Sequence, residues 1–213
     1  MRRRTGPVRQ RVTRVVAIDV GNTHVCLGVF LGKRLAHSWR IRTDREGTAD
    51  DYRATVDHLF AEAGIEPAKV QAVVMCSVVP GLTEEFLTLA RHCFGVEALN
   101  LEPAGQEVME IAYQPAAEVG ADRIANAIAG RALYAVPLIV VDVGTATTVD
   151  AVSKEGVYLG GAIAPGLKTS LDALFAAAAR LTGVRLRKPG NVVGRTTEEA
   201  LLSGAVYGHA AQV

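Results

Sequence analysis

Two segments of this sequence share one layout: Ile18-Asp19-Val20-Gly21-Asn22-Thr23 and Val141-Asp142-Val143-Gly144-Thr145-Ala146. In each segment an apolar residue precedes Asp-Val-Gly and a polar residue follows it. Each also ends an apolar run, residues 15–18 and residues 138–141, of the kind that forms a buried strand. Because an internal domain duplication produces such repeats, we predict an α/β protein with two similar domains.

The residues around these two Asp-Val-Gly segments have the periodicity of further strands and helices. The first half is predicted to run strand, strand, strand, helix, strand, helix. After the first strand, these elements are predicted at residues 25–30, 35–41, 49–63, 70–75 and 82–94, with Gly64 ending the first helix. The second half is predicted to contain a helix at residues 121–134, a strand ending at Pro165-Gly166 and a helix at residues 198–212.

The two copies of the repeat differ in length. Asp19 and Asp142 lie 123 positions apart, whereas 71 residues follow Asp142 in this chain of 213. If the copies are equivalent, roughly 40–50 residues are missing at the C-terminus. We predict a basic disordered arm at residues 1–13, a first domain at residues 14–115 and an incomplete second domain at residues 116–213.

Charge is distributed unevenly along the chain. Six of the 23 basic residues are arginines within the first fourteen positions, which contain no acid, so 17 basic and 22 acidic residues remain. A basic arm before an acidic body is typical of a solvated tail, or of sequence upstream of a misplaced start codon. Since the body has no basic footprint, we expect no binding to nucleic acid.

Signal-peptide, membrane and metal-protein classes are also disfavoured. The strongest apolar run, residues 138–141, is one strand long and cannot cross a membrane. The three cysteines lack Cys-x-x-Cys spacing, and the five histidines form no ligand-spaced set. We therefore expect a cytoplasmic protein without a zinc or haem site, in which Cys26, Cys76 and Cys93 are buried, reduced thiols.

The Asp-Val-Gly segments have the residues that phosphate binding requires. Gly21 lets a turn approach phosphate without a Cβ, Asn22 and Thr23 can donate hydrogen bonds, and Asp19 can hold Mg²⁺ directly or through water. An ordinary Asx turn would explain one such segment. Two copies at strand ends favour ATP binding.

Other phosphate signatures fail. No Gly-x-Gly-x-x-Gly fingerprint is present, and in Gly161–Thr169 the intervening Leu167 puts the lysine out of register for a P-loop. Residues 160–166 are better explained as a strand and a Pro-Gly turn before a helix whose N-terminus can face an anion, although a simple turn explains them nearly as well.

A third candidate is Gly120-Ala121-Asp122-Arg123, at the predicted start of a helix. Asp122 can accept a proton from a substrate hydroxyl, while Arg123 and the helix N-terminus can hold an anionic group. The alternative is that Asp122 complements the helix dipole and Arg123 is exposed to solvent. The residues alone leave both interpretations open.

In order and spacing these motifs together resemble the type III pantothenate kinase family from residue 14 to the end of the chain. The resemblance includes both Asp-Val-Gly segments, the Tyr113 to Arg123 region and Gly160–Gly166. It also includes Ser77-Val78-Val79-Pro80 and Gly194-Arg195-Thr196-Thr197. It implies duplicated ribonuclease H-like, or actin-like ATPase, domains, each with a mixed sheet flanked by helices. It also implies ATP-dependent phosphorylation of pantothenate, the first step of coenzyme A biosynthesis. It also implies a homodimer.

The resemblance implies a role for each matching residue. Asp122 would be the proton acceptor, Asp142 would bind a monovalent cation, K⁺ or NH₄⁺, and Asp19 would hold Mg²⁺. Pantothenate would be bound by Tyr113, Gly120, Ala121, Arg123 and Thr197. ATP would be bound by Asp19, Val20, Gly21, Asn22, Thr23, His24, Val25, Cys26 and Thr145, with His24 and Cys26 contributing backbone atoms only. Thr196 and Glu199 form a predicted capping box, which would explain Thr197 as a first-turn residue.

Two rival functions stay open. The repeated segments indicate ATP but not its acceptor, so another small-molecule kinase of the same superfamily is one alternative. A non-catalytic relative that assists transcription is the other, but such a protein has no need of an alcohol-activating carboxylate at Asp122. The family's adenine-contacting glycine-rich segment lies beyond Val213, so the resemblance predicts weakened nucleotide affinity.

Overall fold

The computed structural model describes residues 13–178 and 183–213. The chain divides into two compact units, unit 1 at residues 1–102 and unit 2 at residues 103–213. This division precedes the predicted boundary between residues 115 and 116. Apart from Thr13, the predicted basic arm lies outside the described residues.

Unit 1 has a five-stranded mixed sheet with the order β3-β2-β1-β4-β5. Strands β1, β2 and β3 are antiparallel neighbours, whereas β4 is parallel to β1 and β5 is parallel to β4. The elements are β1 Arg14–Val20, β2 His24–Leu31, β3 Arg34–Arg42, α1 Ala49–Glu62, β4 Ala72–Ser77, α2 Pro80–Leu89 and β5 Ala98–Asn100. The predicted order of strands and helices is confirmed, and β5 is an addition that the sequence pattern did not predict.

Local chemistry sets the limits of the helices in unit 1. A reciprocal capping box between Thr48 and Asp51 begins α1, and Gly64, with a φ of 65°, follows its end. Helix α2 begins two residues earlier than predicted because Pro80 is suited to the first helical turn. One π-helical turn, Ala90–Phe94, extends it to the predicted end.

The core of unit 1 lies between the sheet and its helices. Tyr52, Val56 and Phe60 lie on one face of α1 and are at most 5% exposed. They belong to the same buried cluster as Phe86 of α2 and the alternate β1 residues Val16, Ile18 and Val20. Because side chains alternate across a strand, Asp19, between two of these core residues, is on the opposite face and exposed.

Unit 2 has a three-stranded sheet with the order β6-β7-β8 in which both strand pairs are antiparallel. The prediction of a mixed sheet in each domain is therefore wrong for the described strands of unit 2. Its elements are α3 Ala121–Leu133, β6 Leu138–Val143, β7 Ala146–Val152, β8 Tyr158–Pro165, α4 Leu167–Ala177 and α5 Thr197–Ala210. The predicted helix at residues 121–134, the strand ending at Pro165-Gly166 and the helix at residues 198–212 are each present to within two residues of the predicted limits.

Both Asp-Val-Gly segments end the first strand of an antiparallel hairpin, β1–β2 in unit 1 and β6–β7 in unit 2. The two turns differ by one residue. Val20 pairs with Val25 across the first turn, whereas Val143 pairs with Thr147 across the second. The shared layout therefore extends to the hairpins but not to the detailed geometry of the turns.

The three cysteines differ in burial. No disulfide joins Cys26, Cys76 and Cys93. Cys76 is buried as predicted, but Cys26 and Cys93 are only half-buried, so the prediction of burial is wrong for these two. Within residues 13–178 and 183–213, no helix is both long and apolar enough to cross a membrane.

Candidate active site

The turn between β1 and β2 carries the predicted ATP-binding residues of unit 1. The N–H of Gly21 donates to the carbonyl of His24 at 3.0 Å, and a Cβ on Gly21 would lie 2.9 Å from that carbonyl oxygen. A side chain at Gly21 would therefore force the turn open. Thr43, just after β3, braces the turn, since its hydroxyl donates to the carbonyl of Gly21 at 2.6 Å and its N–H donates to that of Thr23 at 3.0 Å.

The side chains around this turn differ in what they can offer a nucleotide. Val20 and Val25 are fully buried in the core, so only their backbone atoms can contact ATP. Asn22 and Thr23 are exposed, and His24 and Cys26 are half-buried. The imidazole Nδ1 of His24 lies 3.0 Å from Nη2 of Arg40.

Two arginines next to the turn were missed by the sequence reasoning. Arg40 of β3 contacts His24, as described above, and Arg45 donates from Nη2 to Oδ1 of Asn22 at 2.9 Å. Both guanidinium groups are suited to phosphate, which prefers planar bidentate donors. The sequence offered one signal for them. Arg40 lies near the end of the third predicted strand and Arg45 follows that strand, which pairs with β2 next to the turn.

Asp19 is exposed at the end of β1, and its Oδ1 lies 3.5 Å from Sγ of Cys76 on β4. The described residues contain no group of three or more His, Cys, Asp or Glu side chains that could hold a metal ion. Mg²⁺ at nucleotide sites usually binds one or two carboxylates together with substrate phosphates. The exposed carboxylate of Asp19, next to the turn at Gly21, fits that requirement.

In unit 2, the start of α3 presents Asp122 half-buried. Its Oδ1 accepts a hydrogen bond from the N–H of Arg123 at 2.8 Å. Burial raises the pKa of the Asp122 carboxyl, the nearby charge of Asp142 raises this pKa further, and the contacts with Arg123 oppose the shift. A carboxylate with a raised pKa is a stronger base than an ordinary aspartate.

Gly120 and Ala121 shape the space around this carboxylate. Gly120 is the N-cap residue of α3, with φ −58° and ψ 133°, a conformation that other residues also adopt. A Cβ on Gly120, however, would overlap Oδ1 of Asp122. The glycine is therefore required for space and not for backbone freedom. Ala121 is buried and its side chain belongs to the core.

Asp142, the predicted monovalent-cation ligand, is exposed at the end of β6. Asn126 of α3 donates from Nδ2 to Oδ2 of Asp142 at 3.0 Å. Asn126 lies one helical turn after Asp122, so both side chains are on the same face of α3. The structure thus brings the predicted base and the predicted cation ligand together, and Asn126 was missed although its spacing of four residues from Asp122 was visible.

Arg123 is buried, with 6% of its surface exposed. Its Nε and Nη2 donate to Oδ1 of Asp150 on β7 at 2.9 and 2.5 Å. The alternative in which Arg123 is an exposed first-turn residue is therefore wrong. Two of its three guanidinium nitrogens bond to a residue of unit 2 that sequence reasoning did not select.

Tyr113 is half-buried, and its ring packs against Gly160 of β8. A Cβ on Gly160 would lie 3.2 Å from Cδ2 of Tyr113, and the φ of Gly160 is 112°. Glycine is favoured there both by space and by backbone conformation. Both Tyr113, a predicted pantothenate contact, and Asp122, the predicted proton acceptor, thus lie in unit 2, the first beside β8 and the second at the start of α3.

Residues 160–166 pack against the second Asp-Val-Gly segment. Gly166 donates its N–H to the carbonyl of Thr145 at 2.9 Å, and Thr169 donates its hydroxyl to the same oxygen at 2.7 Å. A Cβ on Gly166 would overlap the backbone of Gly144 and Thr145. The start of α4 therefore holds the turn that carries Thr145, one of the predicted ATP contacts.

Thr197 is the first residue of α5 and is exposed. Thr196 caps this helix, because its hydroxyl accepts from the N–H of Glu199 at 3.1 Å. The carboxylate of Glu199 accepts from the N–H of Arg195 at 2.8 Å rather than from that of Thr196. The predicted capping box is therefore wrong in its second half, and Thr197 remains available on the first turn.

Known proteins resemble this chain over most of its length. The family model for type III pantothenate kinase matches residues 15–213. The type III pantothenate kinases of Myxococcus xanthus and Anaeromyxobacter sp. (strain Fw109-5) are 44% and 46% identical. The alignments cover 93% and 92% of this chain and 78% and 77% of those two proteins.

One solved structure has the same fold over a similar extent. It comes from Campylobacter jejuni and is described as a Baf family transcriptional activator. Its TM-score is 0.55 at 23% identity, with 92% of this chain and 76% of the other covered. On the strength of the sequence matches, the chain belongs to the type III pantothenate kinase family.

Proposed function

We propose that this chain transfers the γ-phosphoryl group of ATP to the primary hydroxyl of pantothenate, giving 4'-phosphopantothenate in the first step of coenzyme A biosynthesis. The observation that carries the proposal is the half-buried carboxylate of Asp122 at the start of α3, with Gly120 leaving it space and Asp142 close enough to raise its pKa. An alcohol acceptor needs such a base.

On the acceptor side, Asp122 orients the hydroxyl and takes its proton as the oxygen bonds to the γ-phosphorus. The bond from that phosphorus to the bridging oxygen breaks, and ADP leaves with the electron pair. The residues proposed to contact pantothenate are Tyr113, Gly120, Ala121, Arg123 and Thr197. The partial positive charge at the N-terminus of α3 would favour binding of the pantothenate carboxylate near this helix start.

On the donor side, the turn at Gly21 and Asn22 is proposed to hold the phosphates of ATP. The guanidinium groups of Arg40 and Arg45 would neutralise negative charge on the phosphates. The residues of the turn carry no positive charge and could not do so. Mg²⁺ held by Asp19 would neutralise charge that develops on the transferred group. The backbone of residues 20–26 and Thr145 complete the proposed ATP contacts.

Three further features belong to this proposal. Asp142 would bind K⁺ or NH₄⁺, and its exposed carboxylate at a strand end fits a weakly held cation. The two hairpins that carry the Asp-Val-Gly segments support duplicated ribonuclease H-like domains. A homodimer and a cytoplasmic location are expected from the family resemblance.

The rival function in transcription has less support. The Campylobacter jejuni structure is 23% identical to this chain, and at that level the likeness concerns the fold alone. A purely regulatory protein has no need of an alcohol-activating carboxylate such as the one proposed at Asp122. Asp122 therefore favours the kinase.

The deciding experiment measures ADP formation with and without pantothenate and identifies the product by ³¹P NMR. Asp122→Asn should lower kcat by about 100-fold or more with little change in KM for pantothenate. Asp172→Asn is the matched control, because Asp172 is an exposed partner of Lys168 on α4. Pantothenate-independent ATP turnover, or a normal kcat for Asp122→Asn, would refute the proposal.

Replacing K⁺ by Na⁺ in the same assay tests the cation. The rate should fall in Na⁺ and recover in NH₄⁺ if Asp142 holds a monovalent ion. A full rate in Na⁺ alone would count against this role of Asp142.

A further inference from the structure

One carboxylate in unit 2, that of Asp150, is 1% exposed and accepts three hydrogen bonds at one oxygen. Arg123 donates to Oδ1 from Nε at 2.9 Å and from Nη2 at 2.5 Å, and the phenol of Tyr158 donates to it at 2.7 Å. The guanidinium carbon also lies 5.9 Å from the centroid of the Tyr158 ring. We refer to Arg123, Asp150 and Tyr158 as the buried triad.

The sheet leaves room for this carboxylate at one position. Asp150 on β7 is paired with Gly161 on β8. A Cβ on Gly161 would lie 2.7 Å from Oδ1 of Asp150 and would overlap the backbone of Val149. Glycine is therefore required at position 161 first by the backbone of β7, and it also leaves space for the Asp150 carboxylate.

Arg123 connects the buried triad to Asp122, the proposed base. The side chain of Arg123 is held by Asp150, while its N–H donates to Oδ1 of Asp122 at 2.8 Å. The direction of the Asp122 carboxylate thus depends on where the backbone of Arg123 lies. Asp150 lies on β7, 27 positions after Arg123, and its hydrogen bonds restrain that backbone.

Tyr158 connects the buried triad to residues 110–113, which we call the Tyr113 segment. The N–H of Tyr158 donates to the carbonyl of Glu110, and the N–H of Ala112 donates to the carbonyl of Tyr158, both at 2.9 Å. This short pairing ends one residue before Tyr113, whose ring packs on Gly160. A shift of Tyr158 would therefore shift the segment that presents Tyr113.

We propose that Asp150 is a positioning residue for phosphoryl transfer, because its buried carboxylate holds the Asp122 helix start and the Tyr113 segment in one arrangement. This inference rests on the proposed function, in which these two segments bind pantothenate and take its proton. Asp150 itself touches no substrate.

A contribution to geometry is a better account of Asp150 than a contribution to stability. Burial of an ion pair costs desolvation energy that largely offsets the attraction, so an intact pair adds little net stability, whereas removal of one partner leaves the other charge buried and strongly destabilises the fold. A loss of stability in a variant of Asp150 is thus expected with or without a positioning role. Misplacement of a catalytic group by about 1 Å can lower a rate by about 100-fold. The activity of the folded enzyme is therefore the sensitive measure of this triad.

The test compares wild-type protein with Asp150→Asn and Tyr158→Phe, and again with Asp172→Asn as the exposed control. Asp150→Asn should reduce kcat/KM for pantothenate by between about 10- and 100-fold, with effects on both kcat and KM because both segments are released. Tyr158→Phe keeps the ring but loses the donor to Asp150. It should raise KM for pantothenate by about threefold or more, with a smaller effect on kcat.

The pH profile separates positioning from a merely structural role. The charges that act on Asp122 are those of Asp142 on β6 and Arg123 on its own helix. In Asp150→Asn the charge of Arg123 is no longer balanced, so the acid limb of the kcat/KM profile should move to lower pH. Hydrogen exchange at the amides of Arg123 and Ala112 should become faster in the same variant.

The outcomes are distinct from those of the proposed function. If wild-type protein shows no pantothenate-dependent ADP formation, the proposed function fails and this inference fails with it. If wild-type protein is active and Asp150→Asn is folded with kcat, KM and acid limb unchanged, the positioning role of Asp150 alone is overturned. If Asp150→Asn does not fold, Tyr158→Phe decides, and kinetic constants within twofold of wild type would overturn the role.

Discussion

Replacement of Gly120 by alanine tests whether the position of the Asp122 carboxylate limits the reaction. The new Cβ would overlap Oδ1 of Asp122 as the structure stands. Since non-bonded heavy atoms are best separated by about 3.5 Å or more, the carboxylate would have to move by about 1 Å. A displacement of that size predicts a fall in kcat of about 100-fold.

The fold should tolerate this change. Gly120 has φ −58° and ψ 133°, which alanine adopts without strain, and alanine restricts the unfolded chain more than glycine does. The free energy of unfolding should therefore change by no more than about 1 kcal/mol in either direction. Loss of activity without loss of stability is the expected signature of Gly120→Ala.

The assay is steady-state ADP release with pantothenate varied, together with thermal unfolding of the same samples. Gly208→Ala is the matched control, because an added Cβ there meets no atom within 4 Å and the residue lies in α5 of the same unit. If Gly120→Ala keeps kcat within threefold of wild type while unfolding normally, Asp122 does not need this position and its role as base is refuted.

Three other predictions concern charge, phosphate and capping. Because burial raises the pKa of Asp122, activity should be lost as pH falls through that raised pKa; a kcat/KM profile that stays flat down to the ordinary pKa of an aspartate would contradict this. Arg45→Gln should raise KM for ATP by about fivefold with KM for pantothenate unchanged, whereas equal effects on both would exclude a phosphate contact. Thr48→Ala should lower the free energy of unfolding by about 1 kcal/mol in urea titrations, because it removes the capping box of α1, and an unchanged midpoint would contradict this contribution.

Local sequence patterns were sufficient for most of the fold. The periodicity of residues 49–63, the glycine after them and the apolar run before each Asp-Val-Gly segment are properties of consecutive residues, and the corresponding elements are present. The strand β5 was missed because it has three residues and offers too little periodicity to detect.

Side-chain partners across the sheets could not be read from the chain in this way. Arg123 pairs with Asp150 at a separation of 27 residues, and Asn22 accepts from Arg45 at a separation of 23. Neither pair leaves a signal in local spacing, since the contact exists only after separate elements have paired. For the same reason, the sequence marked Arg123 as interesting but left open whether it was buried.

The sequence by itself determined the family of this protein, most of its strand and helix order, and the residue types at the two Asp-Val-Gly segments and at Asp122. Those features depend on short motifs and on periodicity within one element. Tertiary structure alone decided that Gly120 makes room for the Asp122 carboxylate, that Asn126 bonds to Asp142, and that Asp150 accepts from Arg123 and Tyr158 at once. Burial raises the pKa of Asp122 only once the chain has packed around it. Desolvation is a property of the folded environment and not of the adjacent residues in the sequence.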